Sequence, residues 1–470
     1  DFEAFNIKFD FFYKTSSPEN RKFVQDVFKK LEEGGHIYEN EIIQLYCNTD
    51  KKFLPDRYVI GICPYCNADD QYSDLCEKCG RVPDEIKDPR CSICGQTPVK
   101  EKTKHYFFKL KNFSNKLAEY LDNNNNLQKD VKKYVQNWIK EGLTDWDITR
   151  DISWGIPIPI DSEKEKVFYG WFDNHLAYIS STIKFLNDNG KDGKNFWNES
   201  DIYHFIGKDI VYHHYLFLPA MRLGINEEYK LPDYIPTRGH LTLQSKKISK
   251  SRNWYIGLKE FLEIFPADYL RFYLVSINPY SQDDLNFDWD EFATKINSEL
   301  IGNLGNLVNR ALGFTVKSFN GVVPNPEDFD NMDKESEKMI NELASDLSAL
   351  MEGNHLDRAL KKILQFSAHF NQYFQHKEPW KNGPGTNSCV FLSVNAVRSL
   401  AIATYPFMPE SSQKIWSQLG LDGDVSTQDF AEISNIALKQ NHKLGSVSPL
   451  FEKVEESIIE EQKSKLGEPN

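Results

Sequence analysis

No stretch of eighteen apolar residues occurs in this 470-residue chain, so no membrane-spanning helix is expected. The opening, DFEAFNIKFDFF, lacks a basic segment and a small-residue cleavage site, and no secretory signal is expected there. Positive charge is in deficit: 56 Lys and Arg against 69 Asp and Glu leave a net charge of -13, which argues against an indiscriminate coat on nucleic acid. A local basic surface for one specific RNA stays compatible with that balance. There is no repeat of fixed period and no low-complexity tract. What is left is a globular, cytoplasmic composition, 40% hydrophobic and 27% charged, with length for roughly two to four domains.

Cysteine is scarce outside one place. Of eight cysteines, six lie between Cys63 and Cys94. CPYCNADDQYSDLCEKCG places Cys63 and Cys66, then Cys76 and Cys79, in two Cys-x2-Cys pairs, each able to aim two thiolates at one tetrahedral ion. Gly80 permits the left-handed turn that closes the second pair. With no secretory signal, disulfides are the poorer explanation, and the four thiolates predict a structural zinc with every position filled. CSICG, with Cys91 and Cys94, is half of another such site; His105 is a candidate third ligand, and no fourth is visible.

Residues 17 to 33 predict a helix, capped by Ser17, with Pro18 at its first position and Phe23, Val27, Phe28 and Leu31 on its apolar face. HYFFKL (105 to 110) predicts a strand, followed by amphipathic helix to about residue 141. VFYGWFD (167 to 173) and DIYHFIGKD (201 to 209) are short apolar strands feeding helical patterns, the rhythm of a parallel α/β sheet. Beyond about residue 290 the pattern is helical, with a linker at 320 to 336. The sheet looks incomplete, because almost no strand is found before residue 17.

Two stretches invite chemistry. GKDIVYHH (207 to 214) stands where a strand gives way to a helix, the place where open parallel sheets bind ligands. Gly207 lets a ligand approach the backbone, and Asp209 can accept hydrogen bonds from ribose hydroxyls; the bland alternative is a capping aspartate followed by a core histidine, His214. SKKISKSRNW (245 to 254) packs four cations and three serines into ten residues. It is either an ordinary solvated loop or a lid whose Lys247 and Lys250 reach the phosphates of a nucleotide held over Asp209, stabilising charge that develops only in the transition state. Asn303, Asn306 and Arg310 form one polar helical stripe, beside a core-facing set of Leu300, Leu304, Leu307, Val308 and Leu312.

Several motifs in order now mark a resemblance. KISKS (247 to 251) is similar to the KMSKS loop of methionyl-tRNA synthetases, the class I ligases, and to their archaeal form most of all. HFIGKDIVYHH resembles their ribose and amino-acid segment, WDITRD and WGIPIP (146 to 159) the return from their zinc insertion, and YFQHKEPW (373 to 380) their anticodon-bundle signature. The likeness runs from about residue 1 to about residue 450.

The resemblance implies a Rossmann-type parallel sheet, N-terminally incomplete, with a zinc-knuckle insertion and an α-helical anticodon-binding bundle. In numbers, it implies a remainder of the first Rossmann half at 1–35, the insertion at 36–148, the second half at 149–240, the lysine loop and stem-contact region at 241–292, the anticodon domain at 293–450 and a tail at 451–470. It implies activation of methionine by ATP with Mg2+, then transfer to tRNA(Met). The implied roles are an ATP contact at Arg150, ribose binding at Asp209, phosphate stabilisation at Lys247 and Lys250, and anticodon contacts at Asn306 and Arg310. Trp171, Tyr178, Ile210 and His214 stand at the methionine side-chain positions. Where the family reads W-x-x-A-P-x-x-Y, this chain reads WFDNHLAY, so Asn174 and His175 replace Ala-Pro and the geometry of that pocket is open to change.

An anticodon-stacking tryptophan is not found at the expected place, where Phe430 is the nearest aromatic. No HxGH motif occurs anywhere in the sequence. The expectation is therefore a chain lacking an N-terminal segment that carries this motif, and inactive without it. The alternatives are a catalytically silent tRNA-binding zinc protein and a synthetase fragment of altered amino-acid specificity.

Overall fold

The structure, a computed structural model, describes all residues except 1, 74, 75, 77, 79, 80, 82, 84, 164, 165, 227, 251, 469 and 470. Contacts divide the chain into two compact units, Phe9–Thr237 and Asp1–Lys8 with Arg238–Asn470.

In the first unit the helix Pro18–Glu33 forms as its sequence predicts. Ser17 caps it by accepting a hydrogen bond from the Asn20 amide at 3.1 Å, and Val24, Val27, Phe28 and Leu31 are buried. The helix lies against the helix Gly170–Asp188, where the Ser180 hydroxyl donates to the Asn20 side chain at 2.8 Å. The principal sheet is an antiparallel ladder, not the expected parallel one. Ile37–Cys47 pairs with Val99–Phe108 from Ile37 opposite Phe108 to Tyr46 opposite Val99, with Lys52–Phe53 and Trp146–Asp147 on its edges. A smaller antiparallel sheet, Gln71–Tyr72, Val59–Ile62 and Lys87–Cys91, carries the cysteine pairs.

Parallel pairing occurs in this unit at the Tyr203–Tyr234 bridge, close to where Ile206–Gly207 joins Thr237–Arg238. The expected strand at 167 to 173 is also shorter: only Val167–Phe168 is extended, and the helix begins at Gly170. Phe172, Leu176 and Ile179, at helical spacing, all enter the core, and this face outweighs the aromatic character that favoured a strand.

In the second unit a short parallel pair, Leu241–Leu243 with Leu285–Phe287, precedes the helical bundle. Trp289–Lys295 runs through a π-type segment, Ile296–Gly305, into Asn306–Phe319; Asn331–Glu352, Leu356–Lys377, Thr386–Ala403 and Pro409–Gln418 complete the bundle. Thr386–Ala403 is its axis, with every residue but Asn387 buried. Leu300, Leu304, Leu307, Val308 and Leu312 face the core as their spacing requires. The tract expected as linker to residue 336 turns helical at Asn331, because Asp330 and Asp333 make a reciprocal capping box. No helix among the described residues is long and apolar enough to cross a membrane.

Candidate active site and anticodon interface

The helix Gly170–Asp188 presents Trp171, His175 and Tyr178 to the segment that follows Ile206–Gly207. That segment makes a 3-10 turn, Lys208–Ile210, and then widens to π-type hydrogen bonding over His213–Phe217, a distortion often met at functional sites. The widening lets two consecutive histidines meet one helix: the Trp171 and His213 rings lie 4.4 Å apart, and the His175 ring lies 5.6 Å from His213 and 4.9 Å from His214. His214 is held at both nitrogens, Nδ1 by the Ile210 carbonyl at 3.1 Å and Nε2 by the Tyr178 hydroxyl at 3.2 Å. Four of the residues expected for a methionine pocket are thus brought together, and Ile210 enters through its carbonyl.

Burial pushes His214 and His213 down to about 4, and His175 and His204 well below the ordinary histidine range, so all four imidazoles are neutral at physiological pH. Both ring nitrogens of His175 and of His213 are buried without a hydrogen-bond partner, polar capacity in a site otherwise walled by aromatics. His204 and His213 were not singled out from the sequence. His213 sits beside His214 in the quoted motif.

The Asp209 carboxylate folds back over Gly207, to within 2.5 Å of where a Cβ would stand. Asp209 itself is exposed on its turn. Arg150 lies in a separate cavity of about 470 Å3 with Arg57, Trp154, Asp173 and Asn174. Its guanidinium sits 4.0 Å from the Tyr169 ring centroid and donates to the Thr149 carbonyl at 2.7 Å. Burial raises Asp173, on the same wall, to about 6.

Lys247 and Lys250 belong to the second unit. Gln244 and Ser245, both at positive φ (48° and 61°), close a hairpin that pairs Lys247 with Thr242 and Lys246 with Leu243. Ser249 and Trp254 then exchange two backbone hydrogen bonds of 2.9 Å, so Lys250 rides on the turn between them. Ser251 lies outside the described residues. Both lysines are exposed and form no ion pair among the described residues.

In the bundle the polar stripe is not a solvated face. Asn303 donates to the Leu364 carbonyl (2.8 Å), Asn306 to the Asn371 side chain (2.8 Å), and Arg310 to Gln375 (2.9 Å) and the Asn371 carbonyl (3.3 Å), all on the facing helix Leu356–Lys377. The Arg310 guanidinium lies 5.1 Å from the Phe374 ring and 5.9 Å from the Trp380 ring. Trp380 is 43% exposed. Trp380 ends the quoted YFQHKEPW, and Phe430, the nearest aromatic to the expected stacking position, packs against the core.

The cysteines form two clusters. Sγ atoms of Cys63, Cys66 and Cys76 lie within 4.8 Å of one another, and Cys79 falls outside the described residues. The second cluster is Cys47, Asp50, Cys91 and Cys94, within the same 4.8 Å. His105 is not part of it: its ring is buried between Asp147 (2.7 Å) and Asp151 (3.0 Å). Cys47 and Asp50 were missed because the antiparallel ladder, not local spacing, brings them to Cys91. The amides of Cys63, Cys76 and Cys91 each donate at 2.9 Å to the carbonyl five residues on, at Ala68, Arg81 and Gln96. Three thiols converging with a carboxylate, in turns of this kind, fit a tetrahedral ion.

The family model described as "tRNA synthetases class I (M)" matches residues 1–312, and that described as "Anticodon binding domain of methionyl tRNA ligase" matches residues 323–469. The methionine–tRNA ligase of Methanopyrus kandleri is 40% identical over 480 residues, covering 100% of this chain and 70% of the relative. That of Pyrococcus furiosus is 39% identical, covering 97% and 65%, and that of Thermofilum pendens 38% identical, covering 99% and 84%. Among solved structures, Mycobacterium tuberculosis methionyl-tRNA synthetase in complex with methionyl-adenylate matches with a TM-score of 0.78 over 96% of this chain and 84% of that one; at 24% identity this is a likeness of fold. With both family models matched in order and a relative 40% identical across the whole of this chain, the chain belongs to the class I methionine–tRNA ligase family.

Proposed function

We propose that this chain activates methionine with ATP and transfers it to tRNA(Met), its catalytic core being the Rossmann-type part of the family fold. The observation that carries this reading is the neutral aromatic pocket of Trp171, His175, Tyr178 and His214, built directly after the Gly207–Asp209 turn. An aromatic, uncharged pocket suits a polarizable thioether. Where the family pattern carries Ala-Pro, His175 belongs to this pocket and Asn174 lines the neighbouring cavity with Arg150.

In the first step a methionine carboxylate oxygen attacks the α-phosphorus of ATP and pyrophosphate leaves; in the second, a ribose hydroxyl of tRNA attacks the acyl carbon and AMP leaves. No enzyme nucleophile is needed, so the chain supplies positioning and electrostatics. Asp209 holds the ribose, Gly207 leaves it room, Arg150 contacts the nucleotide, and Lys247 and Lys250 meet charge building on the leaving pyrophosphate. Mg2+ accompanies ATP as part of the substrate. The test is methionine-dependent exchange of pyrophosphate into ATP by the intact protein. Exchange with another amino acid, or tRNA binding with no exchange, would end this reading.

In the bundle, Asn306, Arg310 and the half-exposed Trp380 are the proposed anticodon contacts, an amide and a guanidinium for base edges beside a ring for stacking. Arg310→Ala is expected to weaken tRNA charging by about 1–3 kcal/mol, the scale of one lost base contact, with pyrophosphate exchange unchanged. Equal losses in both assays would make Arg310 a brace for the helix Leu356–Lys377 alone.

Cys63, Cys66, Cys76 and Cys79 are the proposed ligands of a structural zinc, and Cys47, Asp50, Cys91 and Cys94 those of a second ion. The metals would cross-link turns too small to bury a core of their own. Cys76→Ser is expected to remove one ion per chain, measured by elemental analysis, and to loosen residues 59–91 to proteolysis while the helical bundle melts as before. Undiminished metal content in that variant would refute the ligand set.

A further inference from the structure

The segment that follows the bundle reaches the lysine loop. The helix Glu456–Ser464 packs on Trp289–Lys295, where Lys463 pairs with both Asp290 oxygens at 2.6 and 2.7 Å. Directly beyond it the chain meets Asn253, the residue that ends the turn carrying Lys250. The Asn253 side-chain amide donates to the Lys465 carbonyl at 3.0 Å, and the Asn253 carbonyl accepts from the Gly467 amide at 2.8 Å. Asn253 is thus clasped through side chain and backbone together.

Three further observations show that the contact is built. Asn253 adopts a left-handed conformation (φ 55°), which asparagine tolerates and most residues do not. Gly467 approaches so closely that a Cβ would stand 2.1 Å from the Arg252 carbonyl oxygen. Gln462, Lys465 and Leu466 wall a cavity of about 170 Å3 with Ile256, Phe261 and Trp289, and Leu466 packs against the core there. On the other side, the Ser249–Trp254 bridge and the Trp254 indole, donating to the Leu243 carbonyl at 3.0 Å, tie the same turn to its hairpin.

We propose that residues 456–467 are a latch for the lysine loop, with Asn253 and Gly467 as positioning residues that set where Lys250 stands. The Lys250 carbonyl itself accepts from the Asn253 amide at 3.2 Å, so release of Asn253 frees the backbone that carries the lysine. The Lys250 side chain is exposed and forms no ion pair among the described residues, so its position follows from the backbone of its turn. A flexible ammonium loses effectiveness when it must be ordered at the moment of reaction. The inference rests on the proposed role of Lys250.

Gly467→Ala, which drives a methyl into the Arg252 carbonyl, and Asn253→Gly, which keeps the left-handed backbone but removes the amide, test it together in the intact protein. Both are expected to lower kcat of methionine-dependent pyrophosphate exchange about tenfold, with KM for methionine within twofold of the parent and an unchanged melting midpoint. Tryptic cleavage after Lys250 and Arg252 should become about tenfold faster. Parent-like kcat and cleavage would overturn the latch, as would a loss of kcat accompanied by an early melt, which would make the contact general support. The cleavage rate is read without any catalytic assay. If the parent shows no exchange, the catalytic reading fails and the latch is still judged by proteolysis.

Discussion

Lys250→Ala should reduce the turnover of methionyl-adenylate formation by about two orders of magnitude or more, the scale on which a lost donor to transition-state charge is felt. The melting midpoint should stay where it is, because the side chain is exposed and forms no ion pair among the described residues. KM for methionine should be nearly unchanged, because the role proposed for the lysine is at the leaving pyrophosphate and not at the amino acid. Pyrophosphate exchange at saturating substrates, beside a thermal scan, decides the matter. A variant that melts early and turns over normally would show the lysine to be structural.

The second large effect is expected in a buried network of ionisable groups. Lys166 is buried, paired with Asp151 and donating to the Thr103 hydroxyl at 3.0 Å, while Thr103 donates to Asp151 at 2.8 Å and His105 lies between Asp151 and Asp147. Removing one partner from such a buried set strands the other charge, so Lys166→Met should destabilise the unit Phe9–Thr237 by about 3–5 kcal/mol.

The same cluster gives a pH signature. Burial alone would raise the Asp151 carboxyl, but hydrogen bonds from His105, Lys166 and Thr103 outweigh it and hold it at about 2. Its contribution to stability is therefore present above the ordinary carboxylate value of about 3.9 and is lost as pH falls towards 2. Burial alone would lower His105, but Asp147 and Asp151 raise it; its contribution is complete below the ordinary imidazole value and fades as pH rises through the elevated one. Urea midpoints of this unit between pH 3 and pH 9 should form a plateau in the mildly acidic range in the parent. A flat profile in the parent, or the parent's profile kept in Lys166→Met, would contradict the network.

What could be read in sequence follows from how locally each feature is encoded. The cap and apolar face of Pro18–Glu33 lie within seventeen residues, and the helix formed as expected. The KISKS and GKDIVYHH motifs needed no partners to be recognised. The second cysteine cluster was only half visible, because Cys47 and Asp50 join Cys91 and Cys94 through strand pairing between distant segments. His105 was assigned there by proximity in sequence, whereas alternation along Val99–Phe108 turns it inward to two aspartates. The stripe from Asn303 to Arg310 was correctly placed on one helical face, but periodicity is silent on which neighbour that face meets. Only the fold shows Asn371 receiving it and Trp380 standing beside Arg310.

The hairpin at Gln244 and Ser245 has a consequence for how phosphate is gathered. Successive strand residues face opposite ways, so Lys246 and Lys247, adjacent in the chain, are sent to opposite sides of the ribbon. A nucleotide lying on one side touches one of the two. The other stays hydrated within about a Debye length of 8–10 Å, where it still adds to the attractive potential. On the proposed role of this loop, one cluster of charge would be divided into a part that draws a polyanion in and a part that grips it, and the drawing part would not need to be dehydrated for the grip to form.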